Sequence, residues 1–254
     1  ARDSGAILFG VGDVSDLKGS FDNLSENACQ GLNIGISFGV KVSARILEEI
    51  DDHPTRLYMQ HYRSLNILID QIALKISGII EEEGFDALPI PASQIVDWEK
   101  QTAHLSHKMI AVRAGLGWIG RNNLIINPRY GAAVRYGSIL TNMPLTVDTN
   151  GQARGYLPSE RGEREGEAPK AWPLEGATQA PMIDHPIDDG CGDCYKCIAA
   201  CPATAIKESY RNYDMISCMN KLKWFQKNYN IQHYICGICV KICKGRGYGI
   251  DQDA

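Results

Sequence analysis

The 254-residue chain contains no apolar run near the roughly 18 residues that a membrane span requires. Its opening, ARDSGAILFGVGDV, lacks the basic leader and apolar stretch of a secretory signal. These absences predict a cytoplasmic protein with no membrane partner. A basic excess is missing too: 26 Lys and Arg stand against 30 Asp and Glu, for a formal charge of -4. Bulk charge therefore offers nothing to hold a polyphosphate backbone. Internal repeats are lacking, and before residue 190 the only cysteine is Cys29. So uneven a distribution argues against a chain-wide disulfide framework, and Cys29 reads as a small buried hydrophobe.

What the chain does have is eight cysteines in its last quarter. Cys191, Cys194, Cys197 and Cys201 form C-x2-C-x2-C-x3-C-P, a bacterial ferredoxin run. Three thiolates within seven residues can wrap one face of a cubane, while the fourth crosses to a second cluster. Structural zinc ordinarily takes paired C-x2-C hooks around one tetrahedral ion, so the third closely spaced cysteine disfavours it. The second group, CGICVKIC, supplies Cys236, Cys239 and Cys243, with Lys244 where proline is customary, and Cys218 makes up the missing sulfur. The crossing rule then assigns Cys191, Cys194, Cys197 and Cys243 to one four-iron, four-sulfur cluster and Cys201, Cys218, Cys236 and Cys239 to the other. Zinc or an unmetallated thiol array is the alternative. Two neighbouring clusters relay single electrons, and a free-standing carrier would need only a fraction of this length.

The remaining chain reads as mixed helix and strand. Residues 5–12 (GAILFGVG) and 32–42 (LNIGISFGVKV) are short apolar runs bounded by glycine, as buried strands are. From Tyr58 to Gly84, Leu65, Ile69, Ile72, Ile76, Ile79 and Ile80 recur at helical spacing, with Gly84 as the stop. FDALPIPAS reads as a strand halted by its prolines. A helix through SHKMIAVRA meets the glycine-rich turn GLGWIGRNN at 115–123, and LIINPRYGAAVRYGSILTNMPL reads as two strands around a turn at Pro128 to Gly131. Residues 146–186, rich in Gly, Pro, Glu and Arg, read as a linker or lid.

Residues 111–145, AVRAGLGWIGRNNLIINPRYGAAVRYGSILTNMPL, followed by the cysteine groups, resemble the epoxyqueuosine reductase family and, more distantly, the reductive dehalogenases. Gly115, Gly117, Gly120, Asn122, Pro128, Tyr130 and Gly131 carry the likeness. The resemblance implies an α+β fold: a nitroreductase-like, cobalamin-binding core at 1–145, the linker at 146–186, and a two-cluster ferredoxin-like module at 187–254. It further implies a corrinoid held without a protein histidine beneath the cobalt and reduced by the nearer cluster, so that Co(I) or Co(II) acts on the substrate. The D-x-H-x-x-G pattern of histidine-ligated corrinoids is indeed missing, since DDHPTR has Arg56 where glycine belongs.

On this resemblance the corrinoid contacts are Tyr62, Ser106, Gly115, Gly117, Gly120 and Asn122. A bland reading stands beside it: the glycines form a tight turn and Ser106 caps a helix. The family's proton-donating Asp is replaced by Gln101. In its stead Ser93, Gln94, Asp97, His104, Ser106, His107 and Lys108 crowd polar groups ahead of an apolar helix, with His107 and Asp97 as candidate proton donors. Arg121 could fork onto an anion or the substrate, or else be a solvated turn residue. The family's helical repeats that grip tRNA would follow the clusters, whereas eleven residues follow Cys243, so tRNA is not expected as a partner. The expected function is a cobalamin-dependent iron–sulfur reductase of a small molecule, fed by an external donor of ferredoxin or flavodoxin type. The alternatives are a reductase for a partner corrinoid protein and a non-enzymatic electron carrier.

Overall fold

Glycine-punctuated apolar runs make the first two strands of the computed structural model, which describes residues 4–21, 23–92, 95–97, 102–148 and 190–245. Strand β1 (Leu8–Asp13) pairs antiparallel with β2 (Ile34–Lys41), with Phe9 opposite Phe38 and Val11 opposite Ile36. Between them lie a 3-10 turn (Ser15–Ser20) and the short helix α1 (Glu26–Cys29), where the Ser25 hydroxyl accepts the Ala28 N–H. Helix α2 (Ala44–Glu48) follows, then α3 (Arg56–Glu82). The apolar periodicity placed the start of α3 at Tyr58; the Thr55 hydroxyl accepts the Tyr58 N–H at 3.1 Å and begins the helix two residues earlier.

Strand β3 (Ala87–Ile90) pairs antiparallel with β6 (Val134–Thr141), and the four-stranded sheet has the order β1-β2-β6-β3. Pro89 lies inside β3 without breaking it, because β3 is an edge strand and no ladder requires the missing N–H. Helix α4 (His107–Arg113) lies on β1, and β4 (Trp118–Ile119) pairs with β5 (Ile125–Ile126) as a separate hairpin. The last part of the chain holds α5 (Lys196–Ala200), α6 (Met215–Tyr229) and α7 (Ile238–Ile242). Both Asp214 side-chain oxygens cap α6, accepting from the Ser217 N–H and hydroxyl.

Among the described residues, one compact unit takes in 4–40, 66–116 and 136–148, and the other takes in 41–65, 117–135 and 190–245. The units are interleaved, where the linear reading had consecutive segments 1–145, 146–186 and 187–254. The thiol-bearing stretch thus shares its unit with two earlier segments. The lid or linker at 146–186 lies almost wholly outside the described residues, as do Ser93, Gln94 and Gln101. No described helix is long and apolar enough to cross a membrane.

The first unit has a core of Val14, Leu17, Phe21, Cys29, Leu32, Ile90, Leu105, Ile110 and Leu140, with Leu24, Leu88 and Met109 packed against it. Cys29 is buried there, as expected of a small hydrophobe. Leu140 is fully buried. Leu140→Ala is therefore expected to lower unfolding stability by about 2–5 kcal/mol, read by denaturant titration.

Candidate metal centre

The hairpin, the residues before α5 and the stretch after α7 converge on one small cavity of about 70 Å³. Its lining includes Cys191, Cys194, Cys197 and Cys243 together with Arg121 and Asn122. These four thiols are the first foursome predicted from the spacing. Burial pushes the Cys197 thiol up to about 11, and the neighbouring Cys243, Cys191 and Cys194 add to the shift. Cys243 is likewise raised, by burial and by Cys191 and Cys194. The second foursome gathers separately. Burial, reinforced by Cys218 and Cys201, raises Cys236 to about 11, and burial with Cys236, Cys218 and Cys201 drives Cys239 well above the usual thiol range. Each thiol thus lies mainly in the field of its own foursome. Among the described residues no three His, Cys, Asp or Glu side chains converge as a single-ion site.

Local frames hold each group. Arg121 is buried, donating from Nε to the Glu208 carbonyl at 2.8 Å, from Nη1 to that of Cys194 at 3.0 Å and from Nη2 to that of Gly192 at 2.9 Å. Its guanidinium also stacks 4.5 Å over Tyr195. Three of its five N–H donors are thus engaged by backbone carbonyls, two of them on the loop that carries the first cysteines, where the sequence suggested an anion-binding or a solvated turn residue. Gly131 has φ of 57°, and a side chain there would meet the Cys243 carbonyl at 2.1 Å, so only glycine admits the backbone of the last cysteine so closely. Around the second foursome, Tyr213 hydrogen-bonds Cys218, and Tyr58 is buried beside Cys236 and Cys239. Burial raises both phenols, so both stay neutral. Sequence reasoning had used Tyr58 only to mark the start of a helix and had overlooked Tyr213. The aromatic residue preceding the Asp214 cap was the available signal.

The other predicted residues are distributed differently. Gly115 closes α4: its N–H bonds the Val112 carbonyl and the Leu116 N–H bonds that of Ala111, with φ of 69°, which is a Schellman cap. Gly117 and Gly120 lie against Ile126 of the hairpin. Packing thus accounts for all three glycines assigned to a corrinoid. Ser106 occupies the N-cap position of α4, but its hydroxyl makes no capping bond. Asn122 is buried and lines the cavity of the first foursome rather than standing with the other corrinoid candidates. Tyr62 has the Arg135 guanidinium 4.0 Å over its ring and His233 beside it. His61 accepts the Ser43 N–H, and His53 pairs with Asp52 and stacks on Tyr229.

In the first unit, His107 bonds the Pro91 carbonyl through Nε2 at 3.1 Å and the Ser138 hydroxyl through Nδ1 at 2.9 Å. A carbonyl only accepts, so Nε2 carries the proton and the neutral ring accepts from Ser138 at Nδ1. The histidine ties the start of α4 to β6 and to the end of β3. Asp97 forms an isolated backbone bridge with Thr102, and His104 contacts the Asn23 carbonyl. Burial lowers the Lys108 ammonium to about 8, leaving it able to release a proton near neutral pH.

No family model matches the chain. Epoxyqueuosine reductase of Staphylococcus aureus is 28% identical over 160 residues, covering 60% of this chain and 33% of that protein. The Listeria monocytogenes enzyme of the same name is 29% identical over 185 residues, covering 70% and 37%. Tetrachloroethene reductive dehalogenase of Sulfurospirillum multivorans is 30% identical over 143 residues, covering 52% and 22%. The chain spans about a third or less of the length of these relatives. In fold it is similar to epoxyqueuosine reductase from Streptococcus thermophilus, with a TM-score of 0.56 at 18% identity over 97% of this chain and 64% of that one. The reductive dehalogenase NpRdhA superposes with a TM-score of 0.61 at 16% identity, covering 94% and 30%. In sequence and in fold the chain is thus similar to epoxyqueuosine reductases and reductive dehalogenases. The relatives named are reductases.

Two outcomes are expected. Arg121→Gln removes charged donors from the Glu208, Cys194 and Gly192 carbonyls in part-buried surroundings, so stability falls by about 1–3 kcal/mol, and metal bound after anaerobic reconstitution drops at the foursome that includes Cys194. Lys108→Met removes an ammonium that folding disfavours. The penalty is fully present below about 8 and fades towards 10.5, so the variant gains stability over the parent below pH 8 and loses that advantage by pH 10.5, as denaturation across pH will show.

Proposed function

We propose that the chain is an iron–sulfur oxidoreductase that passes single electrons from an external ferredoxin- or flavodoxin-type donor through two four-iron, four-sulfur clusters to a corrinoid and a small substrate. The observation that carries this reading is the sorting of eight thiols into two foursomes. Cys191, Cys194, Cys197 and Cys243 would hold one cluster, and Cys201, Cys218, Cys236 and Cys239 the other. A solved reductive dehalogenase of similar fold, for which B12-dependent dehalogenation is described, supports the corrinoid. On this reading the first unit is the nitroreductase-like core and the second contains the ferredoxin-like module.

The chain's own residues would do the following. Arg121 fixes the carbonyls of Gly192 and Cys194, holding the loop in position before iron arrives. Because burial keeps the thiols protonated, cluster loading must expel protons as the metal charge draws out thiolates. Bound corrinoid supplies a cobalt able to accept electrons and hand them to a substrate. The proton a reduction consumes would come from His107, Asp97 or Lys108. His107 can hold a second proton at Nδ1 only if the Ser138 hydroxyl turns to accept it.

A second reading, reduction of a corrinoid carried by a partner protein, is favoured by one observation: packing alone explains Gly115, Gly117 and Gly120. Visible absorption after anaerobic reconstitution with cobalamin separates the two, since a retained corrinoid spectrum supports the first and clusters alone the second. About eight irons per chain are expected. Cys197→Ser and Cys236→Ser should each lose about half of that iron while retaining the other cluster. Zinc in place of iron in anaerobically purified protein would end both readings.

A further inference from the structure

We propose that the Asn122 side-chain amide donates a hydrogen bond to the cluster held by Cys191, Cys194, Cys197 and Cys243, raising that cluster's reduction potential. The inference rests on the reading that the eight thiols hold two clusters. Asn122 is 3% exposed. Its Oδ1 accepts the Leu124 N–H at 3.3 Å, which orients the amide, and its Nδ2 has no partner among the described residues. Buried amides are nearly always satisfied, and leaving a donor unpaired costs about 1–3 kcal/mol. Yet this residue lines the cavity surrounded by the four thiols. A cluster sulfur is the acceptor that would complete it.

Three of the five Arg121 N–H donors are held by the Glu208, Cys194 and Gly192 carbonyls. Lys196 and Lys244 also line the cavity but are exposed, so water screens their charge. Adding one electron makes the cluster more negative and strengthens an N–H donor bond to its sulfur. The reduced state gains more than the oxidised state, and the potential rises.

The test is an anaerobic redox titration of the reconstituted full chain with dithionite, read by EPR. It compares the wild type with Asn122→Leu, Asn122→Ala, Asn122→Gln and, as a control, Ser77→Ala, whose hydroxyl on α3 is likewise buried without a partner. With Asn122→Leu the equilibrium constant for reducing one cluster should fall about tenfold, roughly 59 mV for a one-electron couple, while the other midpoint stays. Asn122→Ala, which only removes atoms, takes over the measurement if leucine overfills the cavity and iron is lost. Asn122→Gln keeps the donor and should move the midpoint back towards the wild type, and Ser77→Ala should move neither. Pulsed EPR of the reduced protein should show one exchangeable proton coupling fewer in the apolar variants. Unchanged midpoints in iron-replete Asn122→Leu or Asn122→Ala, or retention of every exchangeable coupling, would overturn the proposal. A wild type without iron–sulfur signals would instead sink the functional reading beneath it.

Discussion

Thiols that are to hold iron must be kept near one another while still neutral, because four thiolates would repel each other before any metal charge arrived. Burial does this for Cys197 and Cys236, whose thiols are both pushed up to about 11. Neutral thiols attract one another weakly, so the arrangement has to come from the backbone around them. Arg121 provides much of it for one group, binding the Gly192 and Cys194 carbonyls beside the first cysteines and the Glu208 carbonyl further on. Gly131 provides more, by letting the Cys243 backbone approach where a side chain would collide.

This dependence on framing explains why the thiol-bearing unit draws on 41–65 and 117–135 as well as on its own stretch. Lys241 of α7 donates to the Glu48 and Ile50 carbonyls, and Tyr58 lies beside Cys236 and Cys239. A thiol-bearing segment attached merely as a tail would need no such contributions. The interleaving also divides α3 between the two units, so that one continuous helix carries the Tyr58 end in one and Ile69 and Ile72 in the other.

The glycine-rich turn shows how a family likeness and a local cause can point to the same residues. Gly115 stops α4 through two backbone bonds, and Gly117 and Gly120 make room for Ile126. Those requirements would hold with or without a ligand, so resemblance at these positions speaks for the fold more strongly than for a cofactor. Asn122 differs, because nothing in the packing of the turn uses its Nδ2.

Much of the architecture was legible along the chain. The apolar spacing from Leu65 to Ile80 marked α3, glycine-bounded runs marked β1 and β2, and the proline-bearing strand β3 takes the sheet edge, where a missing N–H is harmless. The closeness of Cys191, Cys194 and Cys197 was legible too, since they lie within seven residues and a local turn can gather them. The partners of Arg121 were not, because they lie 71 to 87 residues away and hydrogen bonds over that separation exist only after the segments have packed. Nor could spacing say that His107 would be held at both ring nitrogens, or that Asn122 would line a cavity with four thiols. Short-range pattern determined which thiols lie close along the chain; long-range packing decided which donors surround them, because orientation is set by neighbours distant in the chain.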